Sequence, residues 1–113
     1  MKKFRVKNRI KKKTEISDIF RRGKKYKCCG FKIIYRENEE KFDRLAILVS
    51  RKTGTAVKRN SIKRFFREIF RKNRIEFPPY FDILIQPQSG IELNNEMVQC
   101  YKKWLENAKK LLL

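Results

Sequence analysis

The chain is predicted to be an α+β domain, and two observations carry that prediction. The hydrophobic pattern alternates between a period near 3.6 and a period of two, in the order helix, two or three strands, helix, strand, helix. The chain also has 113 residues, of which 41% are hydrophobic and nine are Phe, enough for one core. A sheet covered by helices mainly on one face is the packing this order favours, an α+β sandwich. No repeat, low-complexity tract or linker divides the sequence, so 1–113 reads as a single domain.

Residues 1–6 open a basic segment with few core formers and read as a flexible arm. Thr14 to Arg22 reads as a short helix. Thr14 is placed to cap it, Glu15 and Asp18 suit its positive end, and Ile16, Ile19 and Phe20 share one face. Gly23 is placed to supply a left-handed stop. Lys24 to Arg36 turns to a period of two, with Phe31, Ile33 and Tyr35 in phase. Leu45-Ala46-Ile47-Leu48-Val49 is apolar throughout, which predicts a central strand buried on both faces.

A helix follows from Ala56 to about Lys72. Ile62, Phe65, Phe66, Ile69 and Phe70 form its apolar face, and Asn60, Lys63, Arg64, Arg67 and Arg71 lie opposite, with Arg59 at the boundary. Pro78-Pro79 ends the connection. Tyr80 to Ile85 is a second apolar strand, and about Asn95 to Leu112 is an amphipathic helix with Met97, Tyr101, Trp104, Leu105 and Ala108 inward. The strand–helix–strand unit from Leu45 to Ile85 should pair its strands in one sheet, with a right-handed crossover by the general rule.

The charge balance points to function. Lys and Arg number 31 against 12 acids, a net charge of +19. Such an excess predicts a polyanionic partner, with nucleic acid the best fit and a membrane surface the rival. No apolar run approaches the roughly 18 residues of a membrane span. The segment Met1 to Lys13 has no apolar core of a signal peptide. The chain therefore reads as cytoplasmic, with no membrane partner. The absence of His removes His acid–base chemistry, Ser–His and Cys–His pairs and His metal ligands. In a cytoplasmic chain, Cys28, Cys29 and Cys100 read as reduced thiols, with Cys100 packed in the last helix.

The densest motif is Ser50-Arg51-Lys52-Thr53-Gly54-Thr55-Ala56-Val57-Lys58-Arg59-Asn60-Ser61-Ile62-Lys63-Arg64. It joins a strand end, a glycine turn and a helix start. Helix N-termini and Arg forks both favour phosphate. A charged face alone is usually just solvated, but such faces mix both signs, and here Glu68 stands alone. Arg51, Lys52, Lys58, Arg59, Asn60, Lys63, Arg64 and Arg67 are therefore the candidate RNA-binding residues.

This stretch resembles the signature of the bacterial ribonuclease P protein component, of the form S-x-K-x-G-N-A-V-x-R-N-R-I-K-R. Ser50, Lys52, Gly54, Ala56, Val57, Arg59, Asn60, Ile62, Lys63 and Arg64 match it. Thr55 stands where Asn is usual, and Ser61 where the second Arg would be. The resemblance continues through Asn8-Arg9-Ile10-Lys11-Lys12, Phe20 and Gly23, Arg44-Leu45-Ala46-Ile47, and Asp82-Ile83-Leu84-Ile85 with Pro87, and Gln86 replaces the Arg often found before that proline. It implies a mixed four-stranded sheet with three helices, order α-β-β-β-α-β-α, and a left-handed crossover against the general rule.

The resemblance also implies a role. The chain would be the protein subunit of ribonuclease P, binding ribonuclease P RNA and the 5′ leader of precursor tRNA, a single protein molecule within a ribonucleoprotein. The implied leader-binding positions are Ile16, Phe20, Lys32 and Ile34. Single strands bind on stacking platforms lined with positive charge. Ile16 and Phe20 could equally serve the core, whereas Lys32 is a charge amid apolar neighbours. No acid pair has the spacing of a metal nuclease, so no catalytic residue is assigned. By the resemblance, the RNA subunit holds the Mg²⁺ ions that activate water, and the protein alone binds none stably. The alternative is a structural RNA-binding protein of the ribosomal kind.

Overall fold

The computed structural model describes residues 6–109. A 3-10 turn, Val6–Asn8, precedes helix α1, Lys13–Arg22. Strands β1, Lys24–Cys28, β2, Phe31–Glu37, and β3, Arg44–Ile47, follow. A second 3-10 turn, Arg51–Thr53, leads into α2, Ala56–Lys72, then β4, Phe81–Pro87, and α3, Asn95–Ala108. The order is α-β-β-β-α-β-α. Of the arm expected at residues 1–6, only Val6 is described, and it opens the 3-10 turn; the rest of that arm and the helix expected beyond 109 lie outside the described residues.

The sheet is mixed, in the order β1-β2-β4-β3. β1 and β4 each run antiparallel to β2, and β3 runs parallel to β4. The apolar run at Leu45 to Val49 was expected to be the central strand, and this is corrected: β3 lies at an edge, and β4 is the inner strand buried on both faces. The run is apolar because both sides of β3 are covered, which is a property of the layers and not of strand order. α2 and α3 pack on one side, with Phe31, Ile33, Leu45, Ile83 and Ile85. α1 packs alone on the other, where Ile19 meets Ile34, Leu84 and Ile10.

The ends of α1 differ from expectation. Lys12 is its N-cap, without a side-chain cap bond, and Thr14 lies inside the first turn. Gly23 is extended, at φ −72°, and makes no left-handed stop. Its small size serves a close approach instead, since a Cβ there would stand 2.6 Å from the Ile19 carbonyl oxygen and 3.0 Å from Ile34. α2 and α3 are capped by side chains that accept backbone N–H groups: Thr55 from Lys58 at 3.2 Å and Asn94 from Met97 at 3.2 Å.

Ion pairs fasten α1 to the sheet. Arg44 donates to both Asp82 oxygens, at 2.8 and 2.9 Å, and to Glu15 at 2.9 Å. These carboxylates hold its guanidinium pKa well above the ordinary value. Arg36 bridges Asp18 and Asp82. A separate buried lock closes the far end. Lys109 Nζ donates to Asp43 at 3.0 Å and to the carbonyls of Phe77 and Pro79, while Asp43 accepts the Phe81 N–H at 2.7 Å.

The expectation of three reduced thiols is corrected for two of them. Cys28 of β1 and Cys100 of α3 form a disulfide, their Cα atoms 6.0 Å apart, and Cys29 is free and exposed. α3 crosses the sheet at β1, a tertiary contact that no local spacing encodes.

Candidate nucleic-acid interface

α2 is built from its turn outward. Gly54 has φ +150°, a conformation that favours glycine, and lets the chain leave the turn for the helix. Arg59 donates to the Gly54 carbonyl at 3.2 Å, and Ser89 donates to the Lys52 carbonyl at 2.9 Å, tying the turn to the helix and to the loop after β4. Ile62, Phe66, Ile69 and Phe70 are buried against the sheet. That orients the helix, so the charged residues face outward.

Arg51, Lys52, Lys58, Asn60 and Arg64 are exposed, and Arg59, Lys63 and Arg67 are half-buried along the flank. All eight residues of the predicted set therefore reach solvent along α2 and its preceding turn. Glu68 is taken by Arg71 at 2.6 Å. No described acid pairs with any of the seven cations in the set. Ser61 is exposed too, so the Arg expected there would have extended this face without touching the core.

The helix flank meets the other side of the sheet at a notch. A cavity of about 220 Å³ lies between α2, the edge of β3 and the start of α1, lined by Arg9, Lys11, Lys63 and Arg67 with Ile16 and Ala46. No carboxylate lines it. The Ile10 N–H donates to the Leu45 carbonyl at 3.0 Å, and the Leu48 N–H donates inward to Ile85 at 2.8 Å. Strand alternation therefore turns the peptide groups of Ile47 outward, toward the notch. Cations and edge amides without an acid make a seat for phosphate.

The predicted leader positions fall on the α1 side of the sheet. Phe20 is 38% exposed, so the core does not claim it, and Lys25 Nζ stands 5.5 Å from its ring centre. Ile16 is half-buried and lines the notch. Ile34 is corrected as a contact residue: with 0% exposure, it supports the floor from beneath among Ile10, Ile19 and Leu84. Tyr35 points to the opposite layer, its ring 5.1 Å from Trp104.

Lys32 is not isolated among apolar residues. In the sheet register it stands between Lys27 of β1 and Gln86 of β4, a polar row across three strands. Lys25 pairs with Ile34 and so shares this face. Sequence reasoning missed Arg9, Lys11, Lys25, Lys27 and Gln86. The short turn at Cys29-Gly30 carries the signal for two of them, since it sets β1 against β2 and puts Lys25 and Lys27 in phase with Ile34 and Lys32.

Comparison with known proteins agrees with this geometry. The sequence profile described as Ribonuclease P matches residues 4–111. The ribonuclease P protein component of Petrotoga mobilis is 37% identical over 91 residues, covering 80% of this chain and 77% of that protein. The one from Thermotoga maritima is 36% identical over 95 residues, covering 84% and 81%. Among solved structures, the RNase P protein from Thermotoga maritima superposes with a TM-score of 0.68 at 30% identity, covering 93% of this chain and 97% of that one. The Staphylococcus aureus RNase P protein gives 0.69 at 30% identity, covering 92% and 94%. With motif, fold and relatives in agreement, the chain belongs to the ribonuclease P protein component family.

Proposed function

We propose that the chain binds the RNA subunit of ribonuclease P through α2 and its preceding turn, and the 5′ leader of precursor tRNA through the α1 side of the sheet. The observation that carries this reading is the set from Arg51 to Arg67, none of whose seven cations is paired with a described acid, beside a notch that Arg9, Lys11, Lys63 and Arg67 line without a carboxylate. Backbone phosphates supply the missing negative charge, and the exposed Phe20 ring offers a stacking platform. Membership of the family favours this reading over a ribosomal-type RNA-binding protein. No helix among the described residues is long and apolar enough to cross a membrane.

Cleavage of the leader is assigned to the RNA subunit with its Mg²⁺ ions, which activate water there. Every buried or half-buried carboxylate among the described residues is already in an ion pair: Glu15 and Asp82 share Arg44, Asp18 meets Arg36, Asp43 meets Lys109 and Glu68 meets Arg71. The protein supplies affinity, positioning and screening of phosphate repulsion, as a monomer in a cytoplasmic ribonucleoprotein. The test is reconstitution with a bacterial ribonuclease P RNA in Mg²⁺. Cleavage of precursor tRNA should require the RNA and rise when the protein is added. Cleavage by RNA-free protein would refute the assignment, and so would a rate indifferent to the protein.

A further inference from the structure

Cys28 and Cys100 are 72 residues apart in sequence, yet their Cα atoms are 6.0 Å apart, a separation at which a disulfide closes without backbone movement. Both residues are half-buried. Cys28 also lines an open cavity of about 420 Å³ at the end of the sheet, with Lys27, Lys32, Gln86 and Ser89 in its wall and no carboxylate. Ammonium groups in the wall of an opening attract anionic solutes. Cys29, exposed and free, is the next residue along and meets the same solvent without a partner.

We propose that Cys28 and Cys100 form a reversible thiol–disulfide exchange site, oxidised by an anionic low-molecular-weight disulfide that enters through this cavity. One cysteine thiolate attacks a sulfur of the small disulfide, forming a mixed disulfide and expelling one small thiolate. The second cysteine thiolate then attacks the protein sulfur of that mixed disulfide, closing Cys28–Cys100 and expelling the second small thiolate. Two protein thiols are oxidised, one small disulfide is reduced to two thiols, and the two cysteine protons are taken up by solvent or by the departing thiolates. Excess thiol reverses both steps.

The exchange acts on an edge. β1 is hydrogen-bonded on one side only, to β2. In the oxidised form a covalent link also fastens it to α3. In the reduced form only the ladder and packing hold it. β1 carries Lys25 and Lys27 on its other face, so the redox state sets how firmly those cations are presented.

The test uses the full-length chain, reduced, freed of reductant and exposed to oxidised glutathione. After alkylation, mass analysis should find the loss of two hydrogens, a linked Cys28–Cys100 peptide and an alkylated Cys29, all reversed by dithiothreitol. Closing a loop of this length raises the folded-to-unfolded ratio about a thousandfold, or about 4 kcal/mol at 1.4 kcal/mol per factor of ten. The oxidised chain should therefore unfold at higher urea, and the amides of β1 should exchange more slowly. Cys29→Ser should behave as the wild type. Cys100→Ser should lose both the link and the added stability, while matching the reduced wild type in reductant. The proposal is overturned if Cys28 and Cys100 stay alkylatable or stop as mixed glutathione disulfides. It is equally overturned if the linked chain shares the urea midpoint of the reduced one.

Discussion

Arg67 of α2 and Arg9 of the N-terminal segment face each other across one notch, and burial together with the charge of Arg9 lowers the pKa of the Arg67 guanidinium from its ordinary value. Two like charges held in a half-buried cleft gain from a bound anion. Replacing Arg67 with Met removes the charge and keeps an apolar stem. The variant should bind ribonuclease P RNA more weakly, with a log–log salt slope smaller by about 0.7 to 0.9 because one phosphate is no longer neutralised. The free protein should be no less stable than the wild type at low salt. A salt titration of binding, with a urea melt of the free protein, checks both.

Phe20 should act on the leader alone. Phe20→Leu keeps the apolar character and removes the ring face, so affinity for precursor tRNA should fall by roughly 5- to 150-fold, the equivalent of about 1 to 3 kcal/mol for a stacking contact. Mature tRNA, which has no leader, should bind as before. Thermal unfolding should scarcely change, because the ring is already partly in solvent. Equal weakening for both substrates would remove Phe20 from the leader site.

The buried lock makes a prediction about stability. Lys109→Met leaves Asp43 buried without its cation, and removing one partner of a buried pair costs about 3 to 5 kcal/mol. Adding Asp43→Asn to that variant should recover part of the loss, since no charge is then left unpaired. Urea denaturation of the two variants beside the wild type measures the difference. RNA affinity per folded molecule should be unchanged, as the lock lies away from α2 and the Lys32 row.

Asp18 governs part of the acid limb. The hydrogen bond from Arg36, the largest influence, and those of its helical neighbours hold its carboxyl below the ordinary 3.8. A carboxyl lowered on folding contributes stability that is present in full above its unfolded value and lost as pH falls through its folded value. Asp18→Asn should therefore be less stable than the wild type near neutrality, with the gap closing below about pH 4, near the unfolded carboxyl value. A gap that stayed constant with pH would show that Asp18 stabilises the fold by shape alone.

Much of this was legible in the residues. Ile62, Phe66, Ile69 and Phe70 fixed the inner face of α2, and with it the outward set from Arg59 to Arg67, because a helix repeats over a few residues. What escaped depends on pairing between distant segments. The strand at Leu45 looked central because its residues are apolar on both sides, but neighbour order is decided by where β4 inserts. Lys32 looked isolated because its companions, Lys27 and Gln86, are adjacent only across the ladder. Cys28 and Cys100 looked unrelated for the same reason. Ile34 matched a surface position of the family by sequence, yet α1 lies directly over it.

The inner position of β4 also bears on how the chain is made. Synthesis delivers β1, β2, β3 and the whole cationic helix before Phe81 leaves the ribosome. Until then β2 has only β1 to pair with, and β3 has only the bridge to the segment at Arg9 and Ile10. The nascent chain can form a hairpin and an amphipathic helix, but its two halves lack the strand that joins them in one sheet. Only when the segment to Pro87 emerges can the two halves join into one sheet on either side of it, so the cationic surface of α2 gains its fixed orientation late, near the end of translation.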